Sequence, residues 1–209
     1  MCIIFVCESE RPRPCDIERG IKLNPDGAGI AWQCGDLWNY RKGFAGYDEV
    51  VEWCESKPLP YVLHLRKASC GVFTPRLCHP FPICRTASLA MEGECRAVLL
   101  HNGHFKGWTR QLNRYVVTGE NIPRGPWSDT RLLAYVLSNF TPPNRIRFLK
   151  RFRTNRFVLC DQLGIRRVGL WQHRLSEGIW ISNNFTTPTS PDQAIEIPES
   201  LATDIRKVP

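Results

Sequence analysis

The second residue of the chain, Cys2, combines two reactive groups. Removal of the initiator Met1 would leave Cys2 with a thiol and a free α-amine on one residue. An amine with a pKa of about 8 can accept the thiol proton directly or through a water, so this residue would contain both a nucleophile and a base. The apolar, β-branched run that follows predicts a first, buried strand over Cys2–Cys7. The sequence therefore predicts a nucleophile at the start of a strand, provided that the bond between Met1 and Cys2 is cut.

Three further polar features lie at the ends of predicted elements. Arg66 ends an apolar strand, Asn102-Gly103 follows another strand as a hairpin-type turn, and Asp129 comes directly after the helix N-cap Ser128. Each has a plain structural explanation, because strand-end arginines usually meet solvent and Asn-Gly pairs usually only turn the chain. Their chemistry is nevertheless complementary, since they offer a cation, neutral hydrogen-bond donors and a carboxylate.

Composition indicates one folded domain over residues 1–209. The hydrophobic fraction of 43% and the seven tryptophans suit a packed core, and the net charge of +8 permits an acidic partner without specifying nucleic acid. The N-terminal apolar run is too short for a signal peptide, and no segment approaches the length of a membrane span. We therefore expect a cytoplasmic protein with no membrane association, whose ten cysteines are reduced thiols.

The closest cysteines along the chain do not have the spacing of a zinc site. Cys70, Cys78, Cys84 and Cys95 form no C-x-x-C pair, although His79 lies beside Cys78. Buried or incidental thiols are the better interpretation, and we expect neither a metal nor a cofactor.

The predicted elements favour an α+β fold, because strands occur in groups with the longer helices between them. The segment Ser9–Cys15, with its two Arg-Pro pairs, is predicted to be a loop, and Val72–Gly93 is predicted to be irregular. Strands are predicted in the apolar run that ends at Trp32 and over Asp36–Arg41, Tyr61–Arg66, Arg96–Leu100, and a late meander of Asn155–Asp161, Ile165–Trp171 and Gly178–Ser182. Helices are predicted over Tyr47–Glu55, Phe105–Val117, the segment that Ser128 caps, and Glu199–Arg206 in the tail.

Seven stretches, in order and at suitable spacing, resemble the class II glutamine amidotransferase domain, a member of the N-terminal-nucleophile hydrolases. The resemblance covers nearly the whole chain, from Cys2 to about Asn184, and implies a four-layer α/β/β/α sandwich. The matching stretches are Met1-Cys2-Ile3-Ile4, Asn24-Pro25-Asp26-Gly27-Ala28-Gly29, His64-Leu65-Arg66-Lys67-Ala68-Ser69-Cys70-Gly71, Cys78-His79-Pro80-Phe81, His101-Asn102-Gly103-His104, Ser128-Asp129-Thr130 and Ser182-Asn183-Asn184.

The resemblance implies a glutaminase reaction in which Cys2 attacks the side-chain amide of glutamine, forms a thioester and releases ammonia. The side chain of Asn102 and the backbone N–H of Gly103 would stabilise the oxyanion, and losing one such donor typically costs about 3 kcal/mol. Arg66 would bind the α-carboxylate of glutamine, and Asp129 would bind its α-ammonium.

Two more residues belong to the implied substrate site. Ser69 is placed there as a hydroxyl-bearing residue that replaces the commoner Thr, and His101 is placed beside the oxyanion donors. Packing or hydrogen bonding is the plainer role for His64, His101 and His104, because the α-amine already supplies the base. Arg131 departs from the usual acidic residue after Asp-Thr and alters the charge expected near the ammonium.

The chain also carries a basic run over residues 144–156. If it is helical, Ile146, Leu149 and Phe152 share one side while several arginines face solvent, and a solvated face is the plainest interpretation. Docking of an acidic partner is the sharper alternative, and nucleic acid is not expected, because no aromatic-rich binding motif accompanies the run.

Three functional interpretations therefore stay open. The first is a glutaminase that delivers ammonia to a separate acceptor subunit, since no synthase domain is recognised in the chain. The second is a stand-alone amidase that cleaves another γ-glutamyl amide. The third is an inactive binding module that uses the basic surface.

Overall fold

The computed structural model describes residues 2–44, 46–171 and 173–183. The strands are β1 (Ile3–Cys7), β2 (Ala28–Cys34), β3 (Leu37–Phe44), β4 (Tyr61–Leu65), β5 (Phe81–Pro82), β6 (Glu92–Cys95), β7 (Val98–Asn102), β8 (Arg156–Asp161), β9 (Gly164–Val168), β10 (His173–Ser176) and β11 (Ile179–Ile181). The helices are α1 (Pro14–Leu23), α2 (Tyr47–Ser56), α3 (Trp108–Val117), α4 (Asp129–Leu137) and α5 (Pro142–Leu149), and a short 3₁₀ turn spans Pro75–Leu77.

The strands form two antiparallel sheets. The larger sheet has seven strands in the order β10-β11-β1-β4-β2-β3-β6, and the smaller has four in the order β5-β7-β8-β9. Strand β1 is paired on both sides, by β4 and by β11, and all five of its residues are buried. Cys2, which precedes β1, is therefore attached to a buried strand that is held on both sides.

The two sheets face each other across one apolar layer. Ile4 and Val6 of the large sheet pack in the same cluster as Leu100 and Val158 of the small sheet. The outer face of the large sheet packs against α1 and α2, and the outer face of the small sheet packs against α4 and α5. The layers are thus α/β/β/α, and the predicted α+β sandwich is confirmed.

Close contacts explain why glycine occupies two positions at the start of β2. A Cβ on Gly29 would collide with the backbone carbonyl of His79, and a Cβ on Gly27 would lie 2.7 Å from the Cys78 sulfur. The two glycines that bracket Ala28 therefore let Cys78 and His79 pack directly on the start of β2.

Helix α1 was not predicted, because its start lies inside the segment predicted as a loop. Pro14 occupies the first turn, where its missing N–H costs nothing, so the second Arg-Pro pair begins a helix. Ile17 and Gly20 are buried, and a Cβ on Gly20 would collide with Leu65. The helix therefore packs tightly on the large sheet.

Two turn predictions were wrong in their topology. Asn102-Gly103 makes no hairpin: Asn102 ends β7, whose partners are β5 and β8, and the chain continues into α3. The predicted late meander is divided between the sheets, because β8 and β9 belong to the small sheet whereas β10 and β11 belong to the large one.

The basic run forms α5 and the turns after it. Leu149 is buried, and Ile146 and Phe152 pack against the same cluster, as the helical spacing predicted. The predicted tail helix Glu199–Arg206 lies outside the described residues. No helix in the part of the chain that the structure describes has the length and apolar character needed to cross a bilayer.

Candidate active site

A cleft opens at the point where several elements end. It lies beside the start of β1, the ends of β4 and β7, and the start of α4. Six of the seven predicted site residues line it: Cys2, Arg66, Ser69, His101, Gly103 and Asp129.

The thiol of Cys2 is held at the floor of this cleft by the backbone of Lys67. The Lys67 N–H donates to the Cys2 sulfur at 3.4 Å, and the thiol is 3.4 Å from the Lys67 carbonyl oxygen. Burial raises the pKa of the Cys2 thiol, while the hydrogen bond from Lys67 and the charge of Arg66 oppose that rise. The thiol is therefore protonated near neutral pH, and an attack by its sulfur requires a base.

The side chain of Asn102 does not line the cleft. Its amide nitrogen donates to Ser182 Oγ and to Asn183 Oδ1, each at 2.8 Å, and its own Oδ1 has no hydrogen-bond partner among the described residues. Asn183 in turn donates to the carbonyl oxygen of Cys2 at 2.6 Å. Asn102 is thus joined through Asn183 to the backbone of the candidate nucleophile.

Ser182 strengthens this connection, because its Oγ also accepts the backbone N–H of Ile4 at 2.9 Å. Ser182 and Asn183 come directly after β11, which pairs with β1. Their stretch contributed to the family resemblance, but the sequence assigned them no role. Only the pairing of β11 with β1 brings them to the start of the chain.

Gly103 lines the cleft, and its position leaves no room for a side chain. Its φ is +151°, and a Cβ would collide with Asn155 Oδ1 and lie 2.9 Å from His101 Nε2. Asn155 is a residue that the sequence did not identify. Its Oδ1 accepts from the His104 N–H at 2.6 Å and from His101 Nε2 at 2.9 Å, so it fixes the chain on both sides of Gly103.

Arg66 is 3% exposed and lies at the edge of the cleft with donors to spare. Its Nη1 donates to the Thr74 carbonyl at 3.1 Å, and the Cys78 thiol also lies against the guanidinium. Within residues 2–44, 46–171 and 173–183, no carboxylate pairs with it. The guanidinium therefore still has N–H groups that suit a carboxylate ligand.

Asp129 lies at the first position of α4 and is 6% exposed. Its carboxylate accepts the backbone N–H groups of Phe105 at 3.0 Å and Thr130 at 2.7 Å. These bonds and the positive end of the helix dipole stabilise the negative charge without neutralising it. A negative group is thus fixed in the same cleft as the cation of Arg66.

His101 is a buried structural residue. Burial lowers its pKa, so the imidazole is neutral. Nε2 donates to Asn155 Oδ1, because an amide oxygen can only accept, and Nδ1 accepts from the Thr130 hydroxyl at 3.0 Å. The ring also stacks on Phe157 at 4.6 Å between centroids. His101 therefore connects Gly103 to the start of α4, as a hydrogen-bonding role predicted.

Arg131 does not place its charge in the cleft. Its guanidinium donates to the backbone carbonyls of Ala87, Arg124 and Pro126 and stacks on Trp127 at 4.1 Å. Arg131, which stands where an acidic residue is usual, thus supports the loops in front of α4 and leaves Asp129 as the cleft carboxylate.

Comparison with known proteins connects this architecture to solved structures. No family model matches the sequence, and no curated protein matches it. The chain is similar to the allosteric regulatory enzyme of purine biosynthesis, with a TM-score of 0.50 and 19% identity over 76% of this chain and 35% of that chain. It is also similar to glutamine phosphoribosylpyrophosphate (PRPP) amidotransferase from B. subtilis complexed with ADP and GMP, with a TM-score of 0.54 and 16% identity over 87% of this chain and 41% of that chain.

These similarities define the class of fold. The chain has the α/β/β/α fold of the N-terminal-nucleophile hydrolases, as seen in glutamine amidotransferase structures. It spans about 35–41% of the length of the two solved chains. The resemblance seen in the sequence is therefore confirmed for the fold.

Proposed function

We propose that the protein is a class II glutamine amidotransferase domain that hydrolyses the side-chain amide of glutamine. The fold alone does not assign an activity. The observation that carries the proposal is the cleft itself, which Cys2 shares with Arg66, a cation that no described carboxylate pairs, and with a fixed carboxylate, Asp129. An α-amino acid has the opposite pair of charges on one carbon, so the cleft suits that end of glutamine.

The reaction then uses the chain's own groups. With Met1 removed, the α-amine of Cys2 takes the thiol proton and the sulfur attacks the amide carbon. The tetrahedral intermediate collapses as the same proton passes to the leaving nitrogen, which gives ammonia and a thioester. Water then attacks the thioester, and glutamate and the free thiol are released.

The oxyanion of each tetrahedral intermediate requires donors, and Gly103, which lines the cleft, is proposed to supply one through its backbone N–H. Asn102 is the second proposed donor. To act so, its amide nitrogen must release one of its two acceptors, Ser182 or Asn183. Asn102 thus has a positioning role toward Cys2 before any donor role. Ser69, exposed at the cleft edge, is proposed to contact the substrate carboxylate beside Arg66.

The ammonia acceptor is proposed to be a separate subunit. A stand-alone amidase acting on a different γ-glutamyl amide uses the same attack and differs only in the leaving amine. Glutamine and γ-glutamylmethylamide, compared as substrates, distinguish these two cases by their kcat/KM.

The central experiment measures glutamate and ammonia released from glutamine by the purified protein. Equal amounts of both are expected, Cys2→Ala abolishes turnover, and Cys34→Ala, which changes an exposed cysteine outside the cleft, leaves it intact. Mass spectrometry of the intact active chain is expected to show loss of Met1. Undiminished turnover by Cys2→Ala would refute the assignment of the nucleophile.

A further inference from the structure

Three side chains that commonly bind metal ions converge at the mouth of the cleft. Cys70 Sγ lies 2.7 Å from His104 Nδ1, and His104 Nδ1 lies 4.0 Å from Asp129 Oδ2. The ligand atoms of all three residues lie within 4.8 Å of one another. Among the residues that the structure describes, this is the only group of three or more His, Cys, Asp or Glu side chains arranged in this way.

The fold, and not the spacing along the chain, brings these residues together. Cys70 lies in the turn after β4, His104 in the connection from β7 to α3, and Asp129 at the start of α4. Along the chain, the cysteine nearest to Cys70 is Cys78. Cys78, however, lies against Arg66 and donates to the Asp26 carbonyl, so it faces a different environment.

A cysteine, a histidine and an aspartate form a ligand set that suits zinc. Zn²⁺ binds sulfur, nitrogen and oxygen ligands, whereas Ca²⁺ and Mg²⁺ require oxygen ligands almost exclusively. Three protein ligands leave a fourth position open, and the half-exposed imidazole of His104 places that position toward solvent.

The geometry requires only local adjustment. In a tetrahedral zinc site with bonds of about 2.0–2.3 Å, neighbouring ligand atoms lie about 3.3–3.6 Å apart. The sulfur and the imidazole nitrogen must therefore separate, and the nitrogen and carboxylate must approach, by shifts on the order of 1 Å. His104 is 49% exposed and can make such a shift, while backbone N–H groups hold Asp129 in place.

We propose that Cys70, His104 and Asp129 bind Zn²⁺ at the mouth of the cleft, and that the ion competes with the substrate. The competition follows because Asp129 cannot hold a zinc ion and the α-ammonium of glutamine at once. Zinc binding is independent of the proposed function, whereas the competition rests on it. The ion therefore acts as an inhibitor of the site and has no part in the chemistry at Cys2.

Cobalt tests the site directly, because Co²⁺ replaces Zn²⁺ and reports its ligands by absorption. Titration of the full chain is expected to give the visible bands of a tetrahedral site and a near-ultraviolet thiolate band, both removed by one equivalent of Zn²⁺. Cys70→Ser and His104→Ala are each expected to weaken binding at least tenfold. Cys34→Ser, which changes an exposed cysteine at the end of β2, is the matched control and keeps the wild-type affinity.

The two ligand variants lie in different segments, so loss of folding in one leaves the other informative, and circular dichroism monitors both. Unchanged affinity in Cys70→Ser and His104→Ala would overturn the proposed site, because the ion would then bind elsewhere among the ten cysteines.

Calorimetry of glutamine binding to Cys2→Ala, with and without Zn²⁺, tests the competition without turnover. We expect an apparent Kd for glutamine that rises with zinc concentration. In the double variant Cys2→Ala/His104→Ala, we expect this rise to be smaller. A Kd independent of zinc would overturn the competition while the cobalt spectra still decide the site. Absence of glutamine binding in both conditions would overturn the proposed function and the competition together.

Discussion

Replacement of Arg66 by methionine tests how the cleft selects its substrate. Arg66 is only 3% exposed; methionine keeps the apolar stem in its buried position and removes the guanidinium. Beyond its contacts with Thr74 and Cys78, the guanidinium keeps enough N–H groups for a two-bond pair with a carboxylate. Hydrogen bonds to charged groups contribute about 1.5–3 kcal/mol each, so the loss of both is about 3–6 kcal/mol in transition-state binding. This corresponds to a fall in kcat/KM of about 10²- to 10⁴-fold for glutamine.

A second substrate separates recognition from a merely structural effect. 4-Aminobutanamide is glutamine without its α-carboxylate, so it has nothing for Arg66 to bind. Wild-type protein is expected to cleave it poorly, and Arg66→Met is expected to change that poor rate by less than about tenfold. Arg41→Met provides the control, because Arg41 pairs with Glu49 and Glu92 outside the cleft. Equal losses on both substrates would refute carboxylate binding by Arg66 and indicate instead that the substitution disturbs the cleft.

Three further variants test the surroundings of the cleft. Burial lowers the pKa of Lys42 to about 7, and among the described residues its ammonium has only the ring of Phe81, at 4.2 Å, for a partner. The unfolded chain therefore binds more protons than the folded chain between about pH 7 and pH 10.5, so the free energy of unfolding rises with pH across that window. In urea unfolding, Lys42→Met is expected to stabilise the fold by about 2–3 kcal/mol more at pH 6 than at pH 9. An equal gain at both pH values would contradict this. Gly103→Ala, which places a Cβ against Asn155, is expected to cost about 1–3 kcal/mol of stability and most of the activity, and wild-type values for both would show that the backbone there is not constrained. Asn183→Ala removes the donor to the carbonyl of the nucleophilic residue and is expected to lower kcat about tenfold or more with little change in KM; a change confined to KM would argue against positioning.

The sequence predicted where strands and helices begin and end better than it predicted which of them contact each other. The strand that follows Cys2, the cap at Ser128 and the strand that ends before Arg66 all depend on local patterns of apolar, capping and turn residues, and the structure has each of them. Asn155 was missed because its role depends on β8 lying beside β7, and no local pattern reports strand pairing across more than fifty residues. The hairpin predicted at Asn102 failed for the same reason.

The site itself was predicted through the family motifs, and the structure adds how the residues are held. Six of the seven predicted residues share one cleft. The exception, Asn102, lies behind it, with its amide on Ser182 and Asn183. The sequence could not show this, because the pairing of β11 with β1 decides which acceptors Asn102 meets. The cluster of Cys70 and His104 was likewise invisible, since the two residues are 34 positions apart.

The buried polar side chains near Arg66 explain why this arginine is available for a ligand. They are Lys42, His64 and His79, and no carboxylate pairs with any of them in the described part of the chain. Burial lowers the pKa of His64 to about 3 and that of His79 well below its usual value, so both rings are neutral. Neutral imidazoles spare Arg66 a strong repulsion, yet they offer it no counter-charge. An arginine kept in this state loses free energy of solvation on folding and regains part of it when a carboxylate enters the cleft. The same burial that weakens the fold would therefore strengthen binding of the proposed substrate.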